Sequence, residues 1–174
     1  MAELVNRVAK SGLITLKLED FWPQQALAHF DLKDYLFMEL ILKEKDFRTA
    51  LKEHDWSQYS GKTLLVYCST DAIIPVWAYM LVASAAADAG AEVFLGEETA
   101  FLQNHFNQAI AALDVESYRD QRIVVKGCSD KEVPPSAYLE ITAKLRPLVR
   151  SIMYGEPCST VPIYKRPTTR QKTT

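Results

Sequence analysis

Apolar strand-type runs alternate with helix-type patterns in this chain, and that alternation most restricts how it can fold. The strand-type runs, which are apolar and rich in β-branched residues, occupy 63–67, 91–95 and 123–126. Helical patterns follow each run and are predicted over 75–88, 97–113 and 134–154. Because a strand, a helix and a further strand join through a right-handed crossover into parallel pairing, the sequence predicts a layered, Rossmann-like α/β domain with a mainly parallel sheet.

The two ends of the chain have different expected roles. Alternating side chains over 12–21 predict a strand at the edge of the sheet. With 174 residues, of which 48% are hydrophobic, the chain is long enough for one core, so residues 1–164 are expected to form a single domain. Residues 165–174 contain four cations and no acid, which predicts a basic, mobile tail.

Charge and composition exclude several classes of function. The net charge of −2 becomes −6 once the four cations of the tail are removed, and an acidic body is a poor surface for nucleic acid. The longest apolar stretch, 73–87, is shorter than the ~20 residues of a membrane span, so no membrane segment is expected. Three cysteines without an apolar leader predict reduced thiols and a cytoplasmic protein.

The three cysteines share a local context. Cys68 and Cys128 each follow a predicted strand, and each precedes a serine, then an Ile/Val-Pro pair and an Ala-Tyr pair. They stand 60 residues apart, about the length of two strand-helix units, which indicates either an internal duplication or the same local geometry required twice. Cys158 is also followed by serine and then by proline. The repetition suggests one role for all three thiols.

Thiols that follow parallel strands lie where open α/β sheets bind ligands. Nearby helix N-termini favour the thiolate, which binds metals and attacks electrophiles. We therefore expect Cys68, Cys128 and Cys158 to converge as a site for zinc or an iron-sulfur cluster. The candidates for a fourth ligand are Asp71, Asp130 and His54.

Two alternatives remain open from the residues alone. One is a cysteine-dependent thiol redox enzyme or transferase, in which one cysteine attacks an electrophile and another resolves the product. The other is a structural domain that forms homo-oligomers and uses its cysteines only for packing. Because the chain contains no CxxC pair, the usual zinc-ribbon and ferredoxin spacings do not distinguish these options.

The chain resembles an uncharacterised family of small bacterial proteins that is known only as a domain of unknown function. The resemblance rests on the segments ILKEKDFR, HDWSQY, CSTDAIIPVWAY, KGCS and CSTVPIYK, and it spans nearly the whole chain before the basic tail. Genes of that family lie near iron-sulfur assembly genes, so the resemblance implies iron-sulfur assembly proteins as partners. It assigns no catalytic residue.

Overall fold

The computed structural model describes residues 12–156 and 159–167. The strands are β1 (Leu13–Leu16), β2 (Leu27–Asp31), β3 (Thr63–Tyr67), β4 (Glu92–Leu95), β5 (Arg122–Lys126), β6 (Ser151–Glu156) and β7 (Ser159–Lys165). The α-helices are α1 (Glu44–Glu53), α2 (Val76–Asp88), α3 (Glu98–Ala112) and α4 (Pro135–Leu145). Short 3-10 helices follow β1 and β2 directly, at Leu18–Phe21 and Leu32–Tyr35.

Backbone contacts divide the chain into two compact units, which we name for their positions in the sequence. The central unit comprises Pro23–Leu102, and the terminal unit comprises Met1–Trp22 with Gln103–Thr174. Each unit contains its own sheet. The expectation of a single domain over residues 1–164 stays a prediction.

The central unit is built on the parallel sheet β2-β3-β4. Its middle strand is an uninterrupted apolar run, and Leu64 and Leu65 are fully buried in it. Helix α2 carries Ala78, Val82 and Ala86, spaced four residues apart on one buried face. The small side chains of the alanines allow close packing of α2. The helix forms the crossover connection from β3 to the adjacent parallel strand β4.

The terminal unit is built on the sheet β1-β5-β6-β7, in which β1, β5 and β6 are parallel and β7 is antiparallel. Ile123, Val124 and Ile152 are buried in it, and α4 buries Ile141 and Leu145. Helix α4 crosses from β5 to β6 in the way that α2 crosses from β3 to β4.

A lysine stabilises the end of α3 within the terminal unit. Lys144 Nζ donates hydrogen bonds to the carbonyl oxygens of Ile110, Ala111 and Leu113 at 2.6, 2.6 and 2.9 Å. The last carbonyl groups of a helix have no hydrogen-bond donors within the helix and carry partial negative charge. A lysine ammonium group placed there donates hydrogen bonds to these carbonyls and compensates their charge.

The predicted α/β class is confirmed, and so is an N-terminal edge strand. The predicted strand over 12–21 is wrong beyond Leu16, because Leu18–Phe21 form a 3-10 helix. The parallel strands are divided between two sheets, because β1 pairs with β5 while β2, which the sequence patterns did not reveal, pairs with β3. The predicted helix over 134–154 is wrong beyond Leu145. Pro147 cannot donate a helical hydrogen bond, and residues 151–156 form β6 instead. None of the helices in the described ranges has the length and apolar character needed to cross a bilayer.

Candidate functional site

Cys128 lies in the terminal unit, just beyond the carboxyl end of β5 and before α4. This edge of the sheet also receives the residues that follow β1, because β1 and β5 are parallel neighbours. We call Glu19, Lys126, Cys128, Ser129 and Tyr138 the Cys128 junction. The thiol itself is free and solvent-exposed.

A part-buried ion pair forms the base of the Cys128 junction. Lys126 Nζ donates a hydrogen bond to Glu19 Oε1 at 2.7 Å, and their side chains are only 26% and 17% exposed. Hydrogen bonds from Lys126 and then Ser129 lower the pKa of Glu19, although desolvation opposes them. The hydrogen bond to Glu19 raises the pKa of Lys126. Both groups are therefore charged at neutral pH, and Glu19 ties the Cys-Ser loop to the neighbouring strand.

Tyr138 lies in the first turn of α4. Burial raises the pKa of its phenol, and electrostatic interactions with Tyr154, Glu19 and Cys128 raise it further. The Tyr138 hydroxyl thus keeps its proton at neutral pH and is available as a hydrogen-bond donor. The ring of Tyr138 meets that of Tyr154 edge-on, with centroids 5.7 Å apart.

The residue before Cys128 lies in a tight space that suits glycine. A Cβ atom on Gly127 would lie 2.9 Å from Tyr154 Cζ and 3.2 Å from Gly155 Cα. Tyr154 Oη also donates a long hydrogen bond of 3.4 Å to the Gly127 carbonyl. The backbone after β5 therefore passes close to the end of β6 at Gly127, immediately before the exposed Cys128.

The central unit contains a second junction of the same kind, which we call the Cys68 junction: Asp31, Cys68, Ser69 and Tyr79. The Ser69 backbone N–H donates to Asp31 Oδ1 at 3.0 Å. Burial acts to raise the pKa of Asp31, but hydrogen bonds from Ser69 and Lys33 outweigh it, so the pKa is lowered. Burial raises the pKa of Tyr79, and the nearby Cys68 thiol adds to the effect.

The two junctions match in construction. In each, the cysteine follows the strand that lies between two parallel neighbours. The Ser69 backbone N–H donates to Asp31 at the end of β2, whereas the Ser129 side chain interacts with Glu19 in the 3-10 helix after β1. A tyrosine in the first turn of the following helix interacts electrostatically with the cysteine. The predicted repeat of the Cys-Ser motif is thus a repeat of structure. The junctions differ in exposure, because Cys68 is half-buried against the hydrophobic cluster of the central unit.

The three candidates for a fourth metal ligand have different surroundings. Nε2 of His54 lies 2.9 Å from the Tyr59 hydroxyl, and its Nδ1 lies 3.4 Å from the Tyr35 hydroxyl. Asp71 is exposed in the loop after Cys68, and Asp130 is exposed after Ser129, where its backbone N–H bonds to Glu19. The His54 ring is therefore held by tyrosine hydroxyls, while both aspartates face solvent.

Cys158 lies outside the described residues. Cys68 and Cys128 belong to different units and different sheets. Across residues 12–156 and 159–167, no three His, Cys, Asp or Glu side chains form a group that could hold a metal ion. The described residues on their own therefore do not make a closed metal site.

The residues that sequence patterns did not single out are the carboxylates Glu19 and Asp31. A local signal exists for the two strands and not for the acids: LITLKLED at 13–20 and LAHFDLKD at 27–34 share leucines at the same spacing, but this alignment sets Glu19 opposite Lys33 and Asp31 opposite Lys17. Both segments form an edge strand followed by a 3-10 helix. This similarity marks the two segments as equivalents, and each supplies the acid of one junction.

A comparison with protein families assigns the chain. Residues 2–166 match the family model described as "Protein of unknown function (DUF2480)". This match covers nearly the whole sequence, so the chain belongs to that family, as its motifs indicate. No curated protein and no solved structure matches it.

Proposed function

We propose that this member of the DUF2480 family is a thiol-dependent enzyme that forms and releases a sulfur-sulfur bond at Cys128. The observation that supports this function is the exposed Cys128, which interacts electrostatically with the Tyr138 phenol and lies in a loop that contacts Glu19 through Ser129. A cysteine that only packed would need neither solvent access nor a surrounding set of polar groups.

The proposed reaction is thiol exchange with a disulfide of a small molecule or a protein. The Cys128 thiolate attacks one sulfur, so a new bond forms from Sγ while the original sulfur-sulfur bond breaks. The departing thiolate takes up the proton that Cys128 lost. A second thiol then attacks the mixed disulfide and regenerates Cys128.

The junction supplies two aids to this exchange. In this proposal the Tyr138 hydroxyl, which keeps its proton at neutral pH, donates a hydrogen bond that stabilises the Cys128 thiolate before it attacks. The Glu19–Lys126 pair holds the loop through Ser129 without adding net charge beside the sulfur. The first group acts on reactivity, and the second acts on position.

The test is stopped-flow exchange of the reduced protein with a nitrobenzoate disulfide, followed by peptide mass spectrometry of the modified cysteine. Cys128→Ser should abolish the fast phase, whereas Cys68→Ser, the matched control, should keep it. Tyr138→Phe should slow the fast phase by about threefold to tenfold, the effect of losing one hydrogen bond. Retention of the fast phase in Cys128→Ser contradicts the proposal, and so does an unchanged rate in Tyr138→Phe.

A second candidate is binding of zinc or an iron-sulfur cluster by Cys68, Cys128 and Cys158, with Asp71, Asp130 or His54 as the fourth ligand. One observation favours a shared role for two of these cysteines: Lys126 at the end of β5 pairs with Gly155 near the end of β6. In the sequence, Cys128 follows the first of these strand ends and Cys158 follows the second. The link to iron-sulfur assembly proteins belongs to this candidate.

Metal and acid-labile sulfide analysis of protein purified without oxygen separates the two candidates. Stoichiometric zinc or sulfide that is lost in Cys128→Ser and Cys158→Ser supports the second candidate. Metal-free protein that still exchanges disulfides at Cys128 supports the first.

A further inference from the structure

A groove in the terminal unit, apart from the Cys128 junction, is lined by three cations. It has a volume of about 380 Å³, and its cationic side chains are Arg122, Arg150 and Lys165. Among the described residues, no aspartate or glutamate lines it. A groove of this size and sign matches a small anionic ligand.

Strand register explains how the cations come together. Arg122 of β5 pairs with Ser151 of β6, and Ser151 pairs with Lys165 of β7. Neighbouring strands are about 4.8 Å apart, and paired residues project from the same face of a sheet. Two cations therefore flank a hydroxyl in one row, and Arg150 adds a third cation at the start of β6.

Protein carboxylates leave much of this charge unbalanced. Within the described part of the chain, neither Arg150 nor Lys165 has an ion-pair partner. The nearby carboxylate of Asp120 already receives Arg166. The like charges of Arg150 and Lys165 repel each other across the groove, so an anion bound between them relieves that repulsion.

We propose that this groove binds the phosphate group of a small organic phosphate. Arginine forks match phosphate oxygens in a bidentate geometry, and Lys165 and the Ser151 hydroxyl add further donors. Met153, Pro162 and Tyr164 complete the lining and provide an apolar surface for the organic part. The Arg146 guanidinium lies over the face of the Tyr164 ring, with its carbon 4.9 Å from the ring centroid.

This site is separate from the proposed thiol chemistry. Arg122 begins β5 and Lys126 ends it, so four residue steps place the two about 13 Å apart. The phosphate site therefore goes beyond the proposed function, and it does not depend on Cys128.

The test titrates the full chain with inorganic phosphate and with phenyl phosphate at low ionic strength, by calorimetry and by backbone amide shifts. Phenyl phosphate should bind more tightly than inorganic phosphate and should shift the amides of Ser151 and Lys165. Arg150→Gln and Lys165→Gln should each weaken binding about tenfold, because each loses a charged hydrogen-bond donor. Lys45→Gln, an exposed site in the central unit with the same change of charge, should bind like the wild type.

Several outcomes would overturn the proposal. No binding of either probe at millimolar concentration removes the site, and equal weakening by Lys45→Gln reduces it to general charge attraction. Equal affinity for the two probes contradicts the role given to the apolar lining. Tighter binding of a single-stranded oligonucleotide at the same residues would replace the small phosphate with nucleic acid as the ligand.

Discussion

The Cys68 and Cys128 junctions are built alike, yet they present their thiols differently. Cys68 directly follows β3 and packs against the hydrophobic cluster of the central unit. Cys128 stands one residue farther from its strand, because Gly127 intervenes, and it is exposed. One inserted glycine thus accompanies the change from a half-buried thiol to an accessible one.

The acids of the two junctions also differ, in the groups that donate hydrogen bonds to them. Asp31 accepts hydrogen bonds from the backbone N–H groups of Lys33 and Ser69. Glu19 instead accepts from the charged Lys126 side chain. The Cys68 junction is therefore held mainly through the backbone, whereas the Cys128 junction places a charged pair beside its thiol. The same arrangement of strand, cysteine and helix therefore occurs with different polar groups around the two cysteines.

The largest effect on this comparison is expected from Gly127→Ala. The added methyl group would lie 2.9 Å from Tyr154 Cζ and 3.2 Å from Gly155 Cα, so the Tyr154 ring must shift and the backbone of β6 must yield slightly. We expect a loss of about 1–3 kcal/mol in the free energy of unfolding, as for an overpacked site. Urea unfolding measures it. If the contact with Tyr154 is the cause, Gly127→Ala combined with Tyr154→Ala will cost less than the sum of the two single changes; strict additivity would refute that cause.

A smaller effect is expected from removing the thiols themselves. Cys68→Ser places a hydroxyl against the hydrophobic cluster and should cost about 1 kcal/mol of unfolding free energy. Cys128→Ser changes an exposed atom and should stay within about 0.5 kcal/mol of the wild type. Chemical unfolding of the two variants under reducing conditions gives both values. Equal losses would show that the junctions do not differ in burial as described.

The smallest effect is expected in the pH dependence of stability. The pKa of Glu19 is lowered from its ordinary value of 4.5 and that of Asp31 from 3.8. A carboxyl with a lowered folded-state pKa stabilises the fold above its unfolded-state pKa, and this contribution disappears as the pH falls through the folded-state pKa.

Glu19→Gln and Asp31→Asn should therefore each reduce the stability lost between about pH 7 and pH 3. Urea midpoints at the two pH values measure the difference. Glu44→Gln, which alters an exposed helix pair with Arg48, serves as the matched control. A wild-type dependence in both junction variants would show that these carboxylates do not stabilise the fold.

Local hydrophobic patterns in the sequence correctly predicted the strands and helices that are buried along most of their length. The apolar run of β3 and the small-residue helix α2 are examples, because burial on every side leaves a signal within a few residues. Strand β6 was missed because an apparent helical pattern runs on past Pro147 into it. The proline was the local sign that the helix had ended.

The partners of the thiols could not be predicted in this way. Asp31 bonds to a residue 38 positions later, and Glu19 bonds to one 107 positions later. Periodicity reports which face of a strand is buried, but it does not report which distant strand lies alongside. The sequence identified Cys68 and Cys128, whereas strand pairing was needed to identify the acids beside them.

Site-resolved alkylation of the native protein tests the central claim most directly. Isotope-coded iodoacetamide, applied under reducing conditions and quenched over time, gives a separate rate for each cysteine in one sample. The account predicts that Cys128 reacts at least about tenfold faster than Cys68, and that Tyr138→Phe changes the Cys128 rate alone. Equal rates for the two thiols, or a faster Cys68, would contradict the assignment of Cys128 as the reactive cysteine.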